Sequence, residues 1–252
     1  FHVRPLLEYL HANQQYFLLL LDGEHAQLFK GNLNGLVPID PAHWPVKQTQ
    51  VVGEKERERQ RNVRSTGPGI GFYGRQRSDH ARDEGQAQFL REVDRRVTHA
   101  LADERAPLVV AAPDRQFSAY VAISAHPRLL RDGIHGNFVS ASGRELHERA
   151  WPIVQAYVAE LEERVLERFH AGRAADHSSA DISFIARAAV QGRVRELILA
   201  RGASLSGTLD RATGALVLDG AKTPQTHEDV LDDLAEAVLL RGGDVLTIDA
   251  NR

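Results

Sequence analysis

Tyr16-Phe-Leu-Leu-Leu-Leu-Asp-Gly23 is the stretch on which the fold turns. Six consecutive apolar residues, Tyr16 to Leu21, make a run of strand length, and such a run has to be covered on both faces, which places it at the centre of a layered sheet. Asp22-Gly23 then closes a tight hairpin. Ala26 to Lys30 returns as a second strand, Gly31 to Gly35 turns again, and Leu36 to Ile39 gives a third. The spacing therefore predicts a three-stranded antiparallel meander. Pro5 to Leu10 reads as a short helix ahead of it.

Further on, Asp83 to Ala102 carries Phe89, Leu90, Val93, Val97 and Leu101 along one stripe, the pattern of an amphipathic helix. Pro107 ends it, and Leu108 to Ala112 is a second buried strand. Phe117 to Ile123 suits a helix, followed by a loop holding Gly133, Gly136 and Asn137. A long helix is expected from about Glu145 to His170. Ser142 with Glu145 three residues on forms a capping-box pattern at its start, and Pro152 is tolerated only near its first turns. The small polar segment Gly172 to Ser179 reads as a junction. Beyond it come a helix (Asp181 to Gln191), a strand (Glu196 to Ala200), a hairpin (Ser206 to Leu209 and Leu216 to Leu218 about the turn Arg211 to Gly214), a helix (Glu228 to Leu240) and a strand (Val245 to Ile248). That order is a small three-layer α/β unit with its own core. The fold class is α/β with two domains, 1–172 and 173–252.

Between the meander and the first long helix lies Lys55 to Arg82, KERERQRNVRSTGPGIGFYGRQRSDHAR. It holds eight arginines and lysines against three acids, on a chain whose net charge is −3. Its middle, Ser65 to Gly74, is glycine-rich and aperiodic, and an ordered loop of that kind is costly. It reads as a mobile arm that orders on a polyanion, RNA above all, or else as a solvated surface loop. Arginine suits phosphate through its fork of donors. The expected RNA contacts are Arg57, Arg59, Arg61, Arg64, Arg75, Arg77, His80 and Arg82, with Gly67, Gly69, Gly71 and Gly74 as hinges. Phe72 and Tyr73 either stack on unpaired bases or clip the loop to the protein surface.

Composition narrows the alternatives. The chain has no cysteine, so disulfides and thiolate chemistry are excluded. No apolar run approaches a membrane span. The sequence begins at Phe1 and has no methionine, so it reads as part of a longer translation product, and the sequence leaves open whether an N-terminal domain precedes it. None of the twelve histidines shows a metal-ligand spacing; His147 and His170 read as solvated or partly packed helix residues. There is no GxSxG elbow and no SxxK. Gly67-Pro-Gly-Ile-Gly71 lacks the lysine of a phosphate-binding loop and serves better as a hinge. The acids Asp22, Asp94, Asp103 and Asp114 look scattered, which argues against a two-metal nuclease.

Several stretches together resemble a known family. They are Asp103-Glu-Arg-Ala-Pro-Leu-Val-Val-Ala-Ala112, Tyr120, His126-Pro127, Ile134-His-Gly-Asn137 and Glu145-Leu-His-Glu-Arg-Ala-Trp-Pro152. The opening (Phe1 to Leu7, Tyr16 to Leu21, Gln27 to Gly31) and the ending (Gly192-Arg-Val-Arg-Glu-Leu197 and Leu240-Arg-Gly-Gly-Asp-Val245) agree with it. The family is that of bacterial archaeo-eukaryotic-type release factors, family three, related to eukaryotic and archaeal class-one release factors and to Pelota. The resemblance implies a ribonuclease H-like middle domain, with the basic arm 55–82 as its excursion, and a C-terminal domain like the ribosomal proteins that bind kinked RNA.

In release factors that excursion carries a Gly-Gly-Gln tip which hydrolyses peptidyl-tRNA. This sequence has no Gly-Gly-Gln; the nearest match is Gly74-Arg75-Gln76, where an arginine replaces the permissive second glycine. The expectation is thus a cytoplasmic, ribosome-associated factor (rRNA or tRNA contacts) acting by binding in rescue, stalling or hibernation. A protein partner of the C-terminal domain, a translational GTPase or the ribosomal stalk, is what the resemblance implies; no cofactor, metal, membrane or DNA is expected. The alternatives are a peptidyl-tRNA hydrolase using Gln76, and a non-ribosomal interaction module.

Overall fold

The computed structural model describes residues 6, 14–39, 43–51, 74–138, 140–219 and 229–249, with the backbone alone for 74–83. The expected helix at Pro5 to Leu10 lies outside these residues except for Leu6. Residues 14–158 form one compact unit and 159–252 belong to a second, the division falling inside a long helix.

In the first unit, β1 (Tyr16–Leu21), β2 (His25–Asn32) and β3 (Gly35–Pro38) form the meander. The pairing is antiparallel, Leu19 opposite Leu28 and Gly31 opposite Leu36. Asp22 shapes the first turn, its Oδ1 accepting from the backbone N–H of Glu24 (2.8 Å) and of His25 (2.6 Å). β4 (Val46–Lys47) pairs with the start of β2, β5 (Leu108–Ala112) lies parallel to β1, and β6 (Ile134–His135) lies parallel to β5. The result is a six-stranded mixed sheet ordered β3-β2-β1-β5-β6, with β4 on β2.

β1 explains why the sheet needs two covers. Phe17, Leu19 and Leu21 point to one face, where they meet Phe89, Leu90, Val93 and Val97 of α1 (Gly74–Ala100) and Phe117 and Tyr120 of α2 (Asp114–Ile123). Tyr16 and Leu18 point to the other, packing on Leu146, Ala150 and Val154 of α3 (Gly143–Ala174). The two-residue period of the strand thus divides one continuous apolar run between two helical layers. Ser142 caps α3 as the pattern predicts, its Oγ accepting from Glu145 N–H at 3.2 Å.

The second unit contains α4 (Ile182–Val190), β7 (Glu196–Ala200), the hairpin β8 (Gly207–Leu209) and β9 (Leu216–Leu218), α5 (Val230–Leu240) and β10 (Asp244–Ile248). β7 and β10 run parallel, Leu197 opposite Val245. Ala186 and Ala189 of α4, Leu197 and Leu199 of β7, and Leu234, Ala235 and Val238 of α5 form its core. Asp181 and Asp229 cap the two helices with their carboxylates.

Three local expectations need correction. The backbone is helical from Gly74, nine residues before the predicted start at Asp83, so the last part of 55–82 is helix rather than loop. Those residues carry no apolar periodicity, and a helix once nucleated extends at little cost through arginine, glutamine and alanine. The two-residue strands β4 and β6 were also unseen, because segments so short are defined by their neighbours rather than by their own pattern.

Candidate nucleic-acid interface

The basic excursion leaves and re-enters the first unit through firmly packed ends. On the entry side Val46 pairs with Ala26, Gln48 N–H donates to Glu24 O at 2.7 Å, and Trp44, Val46 and Val51 are buried in the core. On the return side α1 is fixed by its buried stripe from Phe89 onward. Arg96 joins the two, its Nη1 donating to His43 O at 3.3 Å while its Nε donates to Glu92 at 2.9 Å. A fork from Arg95 to the same carboxylate, together with Arg96, holds Glu92 down at about 2 against the opposing effect of burial.

Among the expected contacts, Arg57, Arg59, Arg61 and Arg64 lie outside the described residues, as do the hinges Gly67, Gly69 and Gly71 and the aromatics Phe72 and Tyr73. Gly74 is the first residue of α1, so it opens a helix instead of hinging a loop. Arg75, Gln76, Arg77, His80 and Arg82 follow it on helical backbone. No acid occupies the first turn of α1. A helix N-terminus carries a partial positive charge that acidic residues ordinarily offset. Here Arg75 and Arg77 stand in the first turns instead.

Elsewhere the described titratable groups are engaged structurally. Asp94 of α1 accepts from Ser124 Oγ at 2.5 Å and from Tyr120 OH at 3.1 Å, tying α1 to α2 and the loop beyond. Burial, followed by the Asp94 charge, pushes the Tyr120 hydroxyl far above its ordinary value. Beside them, burial lowers the His126 imidazole below its ordinary value, outweighing the opposing Asp94 charge. His147 is packed rather than solvated: its Nδ1 shares a 2.8 Å hydrogen bond with the buried Tyr16 hydroxyl, which burial pushes up to about 12.

Asp22 and Asp114 prove less scattered than the sequence suggests. They follow the C-terminal ends of the adjacent parallel strands β1 and β5, where α/β sheets often hold ligands. Asp22, however, is committed to its turn, and Asp114 pairs with His135 at 2.8 Å on the surface. No cluster among the described residues could hold a metal ion. Nor is any described helix long and apolar enough to cross a membrane.

A mixed α/β protein of two units, with a cationic excursion rooted between a sheet edge and a long helix, is the class that fold and site define. The chain belongs to bacterial archaeo-eukaryotic release factor family 3, whose family model matches residues 15–193. No curated protein matches it. Among solved structures it is similar to Saccharomyces cerevisiae Dom34, a translation termination-like factor involved in RNA quality control pathways and interacting with Hbs1. That likeness has 10% identity and a TM-score of 0.48, over 98% of this chain and 60% of that one. Archaeoglobus fulgidus Pelota shows 13% identity and a TM-score of 0.41 over 99% and 62% of the two chains. An archaeal translation termination factor, aRF1, shows 13% identity and a TM-score of 0.36 over 93% and 56%. The chain therefore spans less than two thirds of the length of these structures.

Proposed function

We propose that this protein is a translation factor of release-factor or Pelota type, working in the cytoplasm by occupying the ribosome in rescue, stalling or hibernation. Residues 14–158 would correspond to the middle domain of such factors, and the 55–82 arm to the excursion that enters the ribosome. Residues 159–252 would correspond to the C-terminal domain, with a translational GTPase as partner. The reading is carried by the arm: eight basic residues against three acids, inserted between a buried entry segment and a buried helix. Membership of a release-factor family supports RNA as the polyanion such an arm would meet.

Binding is favoured over hydrolysis by two features. The tripeptide Gly-Gly-Gln is absent, and Gln76 stands on helical backbone rather than on a glycine loop. A catalytic loop of that kind needs a backbone able to approach the ester closely, which glycine provides and a helical Gly-Arg-Gln does not.

The experiment is co-sedimentation with ribosomes across a salt series. Reversing Arg75, Arg77 and Arg82 to Glu should abolish binding at moderate salt. In the unaltered protein, affinity should fall steeply as salt rises, with a slope of about 0.7–0.9 per phosphate neutralised. Salt-insensitive binding, or binding untouched by the triple reversal, would refute the reading. The hydrolase alternative is separated by Gln76→Ala: loss of peptide release with ribosome binding intact would establish an enzyme.

A further inference from the structure

α4 and α5 end in the same way, side by side. In α4, Gly192 at φ 69° follows the last turn, Gly192 N–H returns to Ala189 O (3.0 Å) and Arg193 N–H to Ala188 O (2.9 Å). In α5, Gly242 at φ 79° does the same, with Gly242 N–H to Leu239 O and Gly243 N–H to Val238 O, both 3.0 Å. Each is a glycine-terminated helix end leading into one of the parallel strands β7 and β10. The two ends touch. Asp244 N–H donates to Arg195 O at 2.9 Å, and a Cβ added to Gly243 would lie 2.5 Å from Val194 O and 3.3 Å from Arg195 O. The stem of Arg241 lies over Gly192, where an added Cβ would meet its Cδ at 3.3 Å.

This double end displays Arg187, Arg193, Arg195 and Arg241, all exposed. None has an ion-pair partner among the described residues. Of the other described arginines of the unit, Arg168 holds Glu196, Arg201 holds Glu162 and Asp249, and Arg211 holds Asp233 and Glu236, while Arg164 and Arg173, on α3, have no ion pair among the described residues. A structural reason for cations at helix C-termini exists, since they offset the negative end of the dipole. Here, though, the terminal carbonyls of Ala188, Ala189, Val238 and Leu239 already accept backbone N–H groups, and the guanidinium forks stay unspent.

We propose that these twin helix ends are an RNA-binding surface of the second unit, taking the sugar-phosphate backbone on Arg193, Arg195 and Arg241 with Arg187 at the margin. The site is independent of the 55–82 arm. It is preorganised: glycine-closed turns fix the arginine backbones, so little ordering entropy is lost on binding. It reads charge and not sequence, since it offers forks for phosphate without aromatic platforms for bases. Leu239 and Leu240, exposed just before Arg241, make an acidic protein the competing occupant.

The test uses the whole chain and a fluorescently labelled RNA hairpin, with affinity measured across a salt series. Four proteins are compared: unaltered, Arg193→Glu/Arg195→Glu/Arg241→Glu, the same three positions changed to Lys, and the arm reversal Arg75→Glu/Arg77→Glu/Arg82→Glu. Thermal melts confirm that each is folded. The Glu triple should lower the salt slope by about two to three and weaken binding at least about tenfold at moderate salt, whereas the Lys triple keeps the slope within about one. The arm reversal should subtract its own separate share of the slope. An unchanged slope in the Glu triple overturns the proposal, even if the arm reversal abolishes binding and so upholds the arm. Conversely, a loss confined to the Glu triple would sustain this surface and refute the arm. If Leu240→Ser weakens RNA binding more than the Glu triple does, the contact is apolar and the proposal fails.

Discussion

Removing the carboxylate of Asp94 should destabilise the protein about as much as removing both that carboxylate and the hydroxyl it serves. Tyr120 is fully buried, and its hydroxyl donates to Asp94 Oδ1 at 3.1 Å; Ser124 Oγ donates to the same oxygen at 2.5 Å. Asp94→Ala leaves the buried Tyr120 hydroxyl with the Ser124 hydroxyl as its remaining side-chain partner, which costs about 1 kcal/mol beyond the lost charge-assisted bonds. The total is about 3 kcal/mol. Tyr120→Phe removes one bond while Asp94 keeps Ser124, at about 1–2 kcal/mol. In the double variant no donor is orphaned at position 120, and Ser124, only half-buried, is free to turn to water. The double-mutant cycle should therefore show a coupling of about 1–2 kcal/mol. Urea unfolding of the four proteins measures it. Simple additivity, or a double variant less stable than Asp94→Ala, would refute the view that this network clamps α1 to α2. Because neither Asp94 nor Tyr120 is among the proposed RNA contacts, ribosome binding per folded molecule should not change.

Other outcomes follow from the same structure. Gly133→Ala should cost about 3 kcal/mol or prevent folding, because its Cβ would lie 2.2 Å from the Phe117 ring and 2.6 Å from the Val110 carbonyl, a backbone atom; Gly23→Ala, with nothing within 4 Å, is the control in the same denaturation assay. On acidification two groups should act in sequence. His126 has its folded pKa depressed, so its contribution is complete above the ordinary imidazole value and is lost as pH falls through the lowered one. Glu92, lowered from 4.5 to about 2, keeps its contribution above 4.5 and loses it between there and about 2. Replacing His126 by Gln should flatten the first part of a stability-against-pH curve, and Glu92→Gln the second; a curve unchanged by both would contradict these assignments. On the functional side, arm reversal should abolish ribosome co-sedimentation, while Gln76→Ala should leave it intact.

Much of the architecture was legible in the residues because it rests on local periodicity. Tyr16 to Leu21 announced a central strand, Asp22-Gly23 its hairpin, and the stripe from Phe89 to Leu101 its covering helix. The ends of α1, α4 and α5 were harder. Nothing apolar marks Gly74 to Arg82, so only the backbone shows that the helix reaches so far into the basic stretch. His147 read as solvated or partly packed, and the sequence could not choose between these because its partner, Tyr16, is more than a hundred positions away.

What the sequence determined by itself was the alternation of strands and helices, the charge of the arm and the lack of a Gly-Gly-Gln, all properties of neighbouring residues. What only the tertiary structure decided was which distant groups share a partner. It set Asp94 under Tyr120 and Ser124, Asp22 beside the end of β5, and two glycine-closed helix ends together, their arginines without an ion pair among the described residues. Periodicity is a property of the chain within a few residues. Convergence depends on how sheets and helices pack, and no local pattern encodes that.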